Sequence, residues 1–597
     1  MGANAIHSEG EDEESRWNNT LLIINGSTVL FMQCGFALFE AGAVRAKNVT
    51  NILLKNFLDA LIGMIVYWAV GYAFAFGNTV VPGSDGNYTY HPTNSFIGNN
   101  HFFLSGAENA AHYNISGYPE RVIHLGSFYG EFFFNFVFAA TATTITSGAI
   151  VERSQLSSYL IYSFFLTGFI QPVTVHWTWS TGFLLYPPSW FNLPENVYFR
   201  DYAGACSVHG VGGACALIAC IFVGPRIGRF DANKKKYHIP GHSTPLTALG
   251  GFILIIGFLG MVMGHANNIE LSAINIVLGG SASGLTAMFV KYSKPRLIFW
   301  WEHNIRPKFC PHKRVMARRA SVFVRQSNAV RNKQMWSFLT LVDSTLCGMV
   351  ALCAGCNIIE TYGAFVIGVL AAFVYMGTEK LLHKFLIDDP LGSVATHLGG
   401  GLLGTLATPF FMVKKYSGLN GIFYWEGCPA DIPSEDCPFY QWAWHIFGCT
   451  IMIAWTTFFC IILFGILWKL DLLRVDRDTE IRGIDIKVHG EPAYPEMAYG
   501  HGWDNDGEFS LQVMANDPEK NPFGANSETV KKLHGAASMK KDSMTQGGLI
   551  QMVLANHTKE LKKLKSSLGN SGSDVEEDSK SLSGVENHAI VFEENST

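Results

Sequence analysis

Charge is scarce in this chain. Only 15% of its 597 residues are Asp, Glu, Lys or Arg, where average soluble domains carry about a quarter. The net charge of −5 is modest, and no nucleic-acid partner is expected. Short segments of alternating hydrophobicity, the mark of a membrane β-barrel, are lacking as well. Nothing supplies a nucleophile or a complete metal site for acid–base or hydrolytic chemistry. No enzyme activity, no metal and no cofactor are therefore expected. Residues 1–16, from Met1 to Arg16, are acidic and show no cleavable signal. Met-Gly-Ala-Asn-Ala-Ile also lacks the Ser or Thr of a myristoylation site.

What the chain has instead is long apolar helix. A bilayer core takes roughly 20 apolar residues of helix. Runs of that kind fall near 18–42, 52–77, 124–150, 157–184, 201–224, 245–266, 271–291, 336–358, 361–381, 391–413 and 439–469. One such run could be the buried helix of a soluble protein; eleven predict an all-α integral membrane protein. The 60 glycines fit close helix packing in a membrane.

Lys and Arg are unevenly shared among the loops. One set holds Arg226, Arg229, Lys234, Lys235, Lys236 and the basic stretch from Lys291 to Lys333; the other holds few, Arg121, Arg200, Lys414 and Lys415. The positive-inside rule then sets the N-terminus outside and the C-terminus inside, which an odd helix count requires. On that orientation the second loop is extracellular and carries two glycosylation sequons, at Asn87 and Asn114. Cys428 and Cys437, in the last extracellular loop, are near enough in sequence for a disulfide, and two separate thiols fit equally.

The expected organisation is an extracellular lead over 1–16, a membrane domain over 17–470, a basic cytoplasmic loop within it at 292–335, a cytoplasmic regulatory segment over 471–510, and a tail over 511–597. The tail is rich in Ser, Lys, Glu and Asp, and is expected to be mostly disordered.

An internal repeat points to the chemistry. Asp201-Tyr-Ala-Gly204-Ala-Cys-Ser-Val-His209-Gly-Val-Gly212-Gly213 aligns with Asp389-Pro-Leu-Gly392-Ser-Val-Ala-Thr-His397-Leu-Gly-Gly400-Gly401. The segments lie in the fifth and tenth runs. Two five-helix halves, inverted because five is odd, followed by a last helix, would place them so. An ionisable residue within a bilayer costs a few kcal/mol and faces a cavity or a partner. His209 and His397 are thus expected to meet at the centre, where two imidazoles can share a proton. Asp201 and Asp389 stand eight residues earlier, where they could cap a helix; Asp201 could also attract a cation.

Gly35-Phe-Ala-Leu-Phe-Glu40-Ala-Gly42-Ala-Val-Arg45-Ala-Lys47-Asn48-Val-Thr-Asn51 is similar to the first-helix signature of the Amt/Mep/Rh ammonium transporters, and of the Amt branch most. Thr146-Ser-Gly-Ala-Ile-Val-Glu152-Arg153 resembles the end of their third helix, and the histidine segments their twin-histidine helices. Gly483-Ile-Asp485-Ile-Lys-Val-His489-Gly490-Glu491-Pro-Ala-Tyr494 resembles the cytoplasmic C-terminal motif. The resemblance implies a multi-pass homotrimer of the plasma membrane with one pore in each subunit. Ammonium or ammonia would cross an apolar pore lined by His209 and His397. By position Phe138 resembles the first gating Phe, Trp179 the vestibule Trp, and Asp201 the supporting aspartate below it. The sixth helix departs from the family's Gly-Phe-Asn-x-Gly-Ser pattern. The preferred alignment sets Met261 at the Phe and His265 at the Ser; a shifted register sets Phe258 there instead. The C-terminal motif implies regulation, with Gly483 making a turn and Asp485 and Glu491 pairing with basic loop residues. A sensor with weak or no conduction is the alternative function.

Overall fold

A computed structural model of the chain describes residues 2–77, 79–82, 88–91, 94–106, 115–116, 128–194, 196–264, 268–300, 336–424 and 438–495. The chain divides into two units, Met1–Trp503 and Asp504–Thr597; every described residue belongs to the first. His265, Asn87, Asn114, Cys428 and Cys437 lie outside the described residues, as do the tail over 511–597 and most of the basic loop at 292–335.

The membrane helices are α1 (Gly2–Ala43), α2 (Ala46–Phe76), α3 (Phe128–Ile150), α4 (Leu156–Trp179), α5 (Ala205–Val223), α6 (Thr244–Met263), α7 (Ile269–Trp300), α8 (Phe338–Leu352), α9 (Thr361–Lys384), α10 (394–411) and α11 (Pro438–Lys469). Among the described residues nine are long and apolar enough to cross a membrane, and α8 is a shorter apolar helix. With α10 they make the eleven that the apolar runs predict. Their outward faces carry large apolar side chains, such as Phe57 at 68% exposure and Phe252 at 66%, a surface that lipid covers at no cost. Helix starts are set locally: Ser243 and Ser337 cap α6 and α8 by accepting from Leu246 N and Thr340 N, both at 3.4 Å.

The loop between α2 and α3 departs from an all-helical reading. Strands β1 (Thr79–Pro82), β2 (Tyr88–His91) and β3 (Ile115–Ser116) form a small sheet there, β1–β2 antiparallel and β2–β3 parallel. Val80, Val81, Tyr88, Thr89 and Tyr90 are residues that favour strands, but the run is too short to stand out beside the helices.

The loops segregate onto two faces, as alternating crossings demand. On one face Arg45, Glu152, Arg226 and Asp388 meet, from the loops after α1, α3, α5 and α9. On the other, Ala203 N donates to Cys353 O at 2.8 Å and Val413 N to Ile358 O at 3.0 Å, joining the loops after α4, α8 and α10.

The repeat builds the same local structure twice. Gly204 and Gly392 have φ of +82° and +69°, a backbone region open to glycine. Each is followed by a π-turn, Ala205–Gly210 and Val394–Gly399, that carries the histidine. The glycine pairs then let the helices touch. A Cβ on Gly213 would lie 2.4 Å from Leu398 N in α10, and one on Gly401 would lie 2.1 Å from Ala205 O in α5. Gly212 packs on Ala142 O of α3, and Gly400 on Cys347 O of α8. The third helix of one half thus corresponds to the third of the other, the relation that two five-helix halves produce.

Candidate functional site

The crossing of α5 and α10 brings the two repeat histidines together. Their Nδ1 atoms lie 3.2 Å apart and the rings stack at 5.2 Å and 19°. In such a contact one ring donates and the other accepts, so the pair holds a proton between them. His209 is fully buried and His397 is 6% exposed. The Nε2 of His209 is also buried and has no hydrogen-bond partner among the described residues. An unsatisfied buried nitrogen is costly unless something else comes to bind it.

Aromatic and apolar groups flank the pair. Phe258 of α6 stacks on His209 at 5.3 Å and 23°, and Phe36 of α1 lies 6.4 Å from His397. Phe138 meets Trp179 edge-on at 5.4 Å and Phe134 at 5.0 Å. Met261, fully buried, stands one turn beyond Phe258. Three residues further on, Gly264 lies under the Phe134 ring, where a Cβ would come within 2.0 Å. Met261 therefore sits between the histidines and the Phe134–Phe138 aromatic pair. Phe258, the shifted-register candidate, is the residue that touches a histidine. Phe36 and Phe134, which stand beside His397 and Phe138, were not expected at the site; their only signal was Phe36's place in the first-helix signature.

Asp201 is turned toward its own helix. Its carboxylate accepts from Ala205 N at 2.6 Å, Cys206 N at 3.0 Å, and Ser207 N and Oγ at 2.9 and 3.0 Å. Its backbone carbonyl accepts from the Trp179 indole at 2.6 Å. One residue thus starts the histidine helix and fixes the tryptophan. Asp389 has the matching post, accepting from Ser393 N and Val394 N at 3.0 and 2.8 Å.

These relationships are shared with known proteins. The profile of the Ammonium Transporter Family matches residues 20–299 and 315–494. The chain belongs to the ammonium transporter family. "Putative ammonium transporter 1" of Caenorhabditis elegans is 34% identical over 537 residues, covering 88% of this chain and 87% of the relative. "Ammonium transporter 1 member 2" of Arabidopsis thaliana is 33% identical over 480 residues, 76% of this chain and 79% of the relative. Among solved structures, a "Sensor Amt Protein" at 27% identity covers 80% of this chain and 100% of its own, with a TM-score of 0.61. Mep2 of Saccharomyces cerevisiae, at 20% identity and a TM-score of 0.56, covers 77% of this chain and 88% of its own and shares the fold.

In this family member the segment after α11 folds back on the Arg226 face. A short helix, α12 (Arg477–Arg482), leads to Gly483, whose φ of +113° turns the chain against Lys47. Asp485 differs from the expected pairing with basic residues. Its carboxylate accepts from Thr50 N at 3.0 Å and Asn51 N at 2.8 Å, at the start of α2. Backbone amides at a helix start offer that carboxylate the same bonds a basic side chain would. Ile484 N donates to Asn48 Oδ1, Glu480 accepts from Ile227 N, and Tyr494 OH meets His242 Nε2 at 2.8 Å. Glu491 is exposed.

Beneath this segment is a buried ion cluster. Glu152 accepts from Arg45 Nε at 2.9 Å and Arg226 Nη1 at 2.8 Å, and Asp388 from Arg226 Nε at 2.8 Å, with the Arg229 guanidinium as a further ion-pair partner at 3.1 Å. Burial alone would raise the Glu152 carboxyl, but Arg45 and Arg226 outweigh it and hold the group at about 2. Burial likewise opposes ionisation of Asp388, and Arg226 and Arg153 hold it at about 2. Arg226 and Arg229, counted above as orienting charges, are thus neutralised within the fold.

Proposed function

We propose that ammonium gives up a proton at the outer end of the pore and crosses as ammonia past His209 and His397, with Phe138, Trp179, Met261 and Phe258 forming the apolar approach. The free Nε2 of His209, beside a histidine pair that holds a shared proton, carries this reading. Stripping an ion of water in so apolar a passage costs far more than aromatic faces return, which is about 1–2 kcal/mol each. A neutral molecule pays little of that cost. The substrate is moved and not modified. The family resemblance supports a homotrimer in the plasma membrane. The Lys and Arg distribution supports an inner Arg226 face, with the C-terminal segment bearing Gly483, Asp485 and Glu491 on it as a regulatory element.

The test is uptake of methylammonium by cells without ammonium transporters of their own, with intact protein and with His209→Ala/His397→Ala at equal surface expression. Uptake that collapses in the double variant is expected. A normally expressed intact protein that takes up nothing would instead point to a sensor.

A further inference from the structure

A buried carboxyl lies one helical turn beyond the histidine pair. Glu40 is on α1, four residues after Phe36, whose ring faces His397. It is 2% exposed. Ser147 Oγ of α3 donates to its Oε1 at 2.6 Å and Asn56 Nδ2 of α2 to its Oε2 at 2.7 Å, so both hydrogen bonds come from neutral groups. Lys55, the basic group that acts on it electrostatically, donates its Nζ to Ser154 O and Oγ instead, at 2.8 and 2.9 Å.

Glu40 also faces the second histidine helix. A Cβ on Gly148 would lie 3.1 Å from Glu40 Oε1 and 2.8 Å from Ser393 Oγ. Both oxygens thus lie against the same face of Gly148, which brings the Glu40 carboxyl close to the start of α10. Ser393 immediately precedes α10, one turn before His397 and on the side of the Arg226 face. An ionisable group inside a membrane protein costs free energy and usually marks a proton or ion path. Other ionisable groups surround it. Asp59 is held by Tyr159 OH, Ser163 Oγ and Thr144 Oγ1. Asp389, just before α10, and His397 on it have the partners described above.

We propose that Glu40 is the proton-exchanging carboxyl on the inner side of the histidine pair, an inference that rests on the conduction reading above. The outer N–H bond breaks with its electron pair left on nitrogen, and the proton binds the histidine pair. Ammonia reaching the inner side uses that lone pair to take the proton of the Glu40 acid, becoming ammonium again. The Glu40 carboxylate is then reprotonated from the histidine pair by way of Ser393. One proton and one ammonia have crossed, and no other reactant is needed.

The experiment uses the full chain in proteoliposomes, measuring current and methylammonium uptake against pH for the unaltered protein, Glu40→Gln, Glu40→Asp and Ser393→Ala. The amide of Glu40→Gln keeps the acceptor for Ser147 but cannot exchange a proton. Its current is expected to fall by about a hundredfold, the usual contribution of a positioned acid–base group, and to lose its pH dependence. Glu40→Asp should restore part of both. Ser393→Ala, which removes only a hydroxyl, should lower the current and keeps the test open if Glu40→Gln does not fold. Unaltered current and pH profile in a folded Glu40→Gln or in Ser393→Ala would overturn the proposal while leaving twin-histidine conduction standing. A silent unaltered protein would overturn the conduction reading itself, and this proposal with it.

Discussion

Gly401 faces the carbonyl oxygen of Ala205 so closely that a Cβ would come within 2.1 Å of it. The facing atom is backbone, which cannot swing aside. Gly401→Ala must separate α5 from α10, and with them the two histidines. Overpacking of this kind costs roughly 1–3 kcal/mol. A lowered melting temperature in detergent and a loss of uptake at equal expression are expected. Normal melting and normal uptake would show that the crossing does not set the histidine contact.

Asp201→Asn keeps the shape of the side chain but takes the charge from a group that accepts four hydrogen bonds. The amide turns one of the two accepting oxygens into a donor that faces other donors, and an unmatched buried group of that kind costs about 1–3 kcal/mol. The displaced loop should also shift Trp179, whose indole rests on the Asp201 carbonyl. Tryptophan fluorescence and apparent affinity for methylammonium should change together. A stability loss with unaltered affinity would confine Asp201 to capping.

Met261→Phe restores an aromatic face between the histidines and Phe138. A gain of about 1 kcal/mol in cation attraction corresponds to a fewfold tighter apparent affinity at constant maximal rate. Equal affinity in both forms would mean that Met261 does not meet the substrate while it is still charged.

The ion cluster predicts an acid limb in stability. Glu152 and Asp388 bind protons more weakly in the folded chain, at about 2, than at their ordinary values of 4.5 and 3.8. Their stabilisation is therefore complete above those ordinary values and is lost as pH falls toward 2. For Glu152 the shift corresponds to something on the order of 3 kcal/mol. Melting temperature should drop between pH 5 and pH 3, and Glu152→Gln should lie lower overall with a shallower drop. Parallel curves would remove Glu152 from the account.

Deleting residues 475–597 removes the Asp485 contacts with Thr50 and Asn51. Reduced flux with unaltered oligomer mass is expected. Full flux in a well-expressed truncation would show that this segment does not act on the pore.

Legibility differed sharply between elements. The eleven helices could be read because each crossing needs a long apolar run, and the histidine crossing because Asp, Gly, His and Gly–Gly recur at fixed offsets. Phe258 and Phe36 carried no comparable mark. In helices apolar on every side, no period separates a pore-facing ring from a lipid-facing one. Asp485 was misassigned a partner because sequence shows charged side chains but not the free amides at the start of α2. The small sheet near Asn87 was hidden by its brevity.

The knot of Arg226 with Glu152 and Asp388 ties the loop after α3 in one half to the loop after α9 in the other. Carriers that alternate between two open states rock one half against the other. Here such a stroke would have to pull buried ions apart at that end of the molecule, which in proteins costs about 3–5 kcal/mol for a broken pair. The frame is thus held shut like a clasp. A frame so fixed leaves only small side-chain rearrangements inside a stationary housing to accompany each passage.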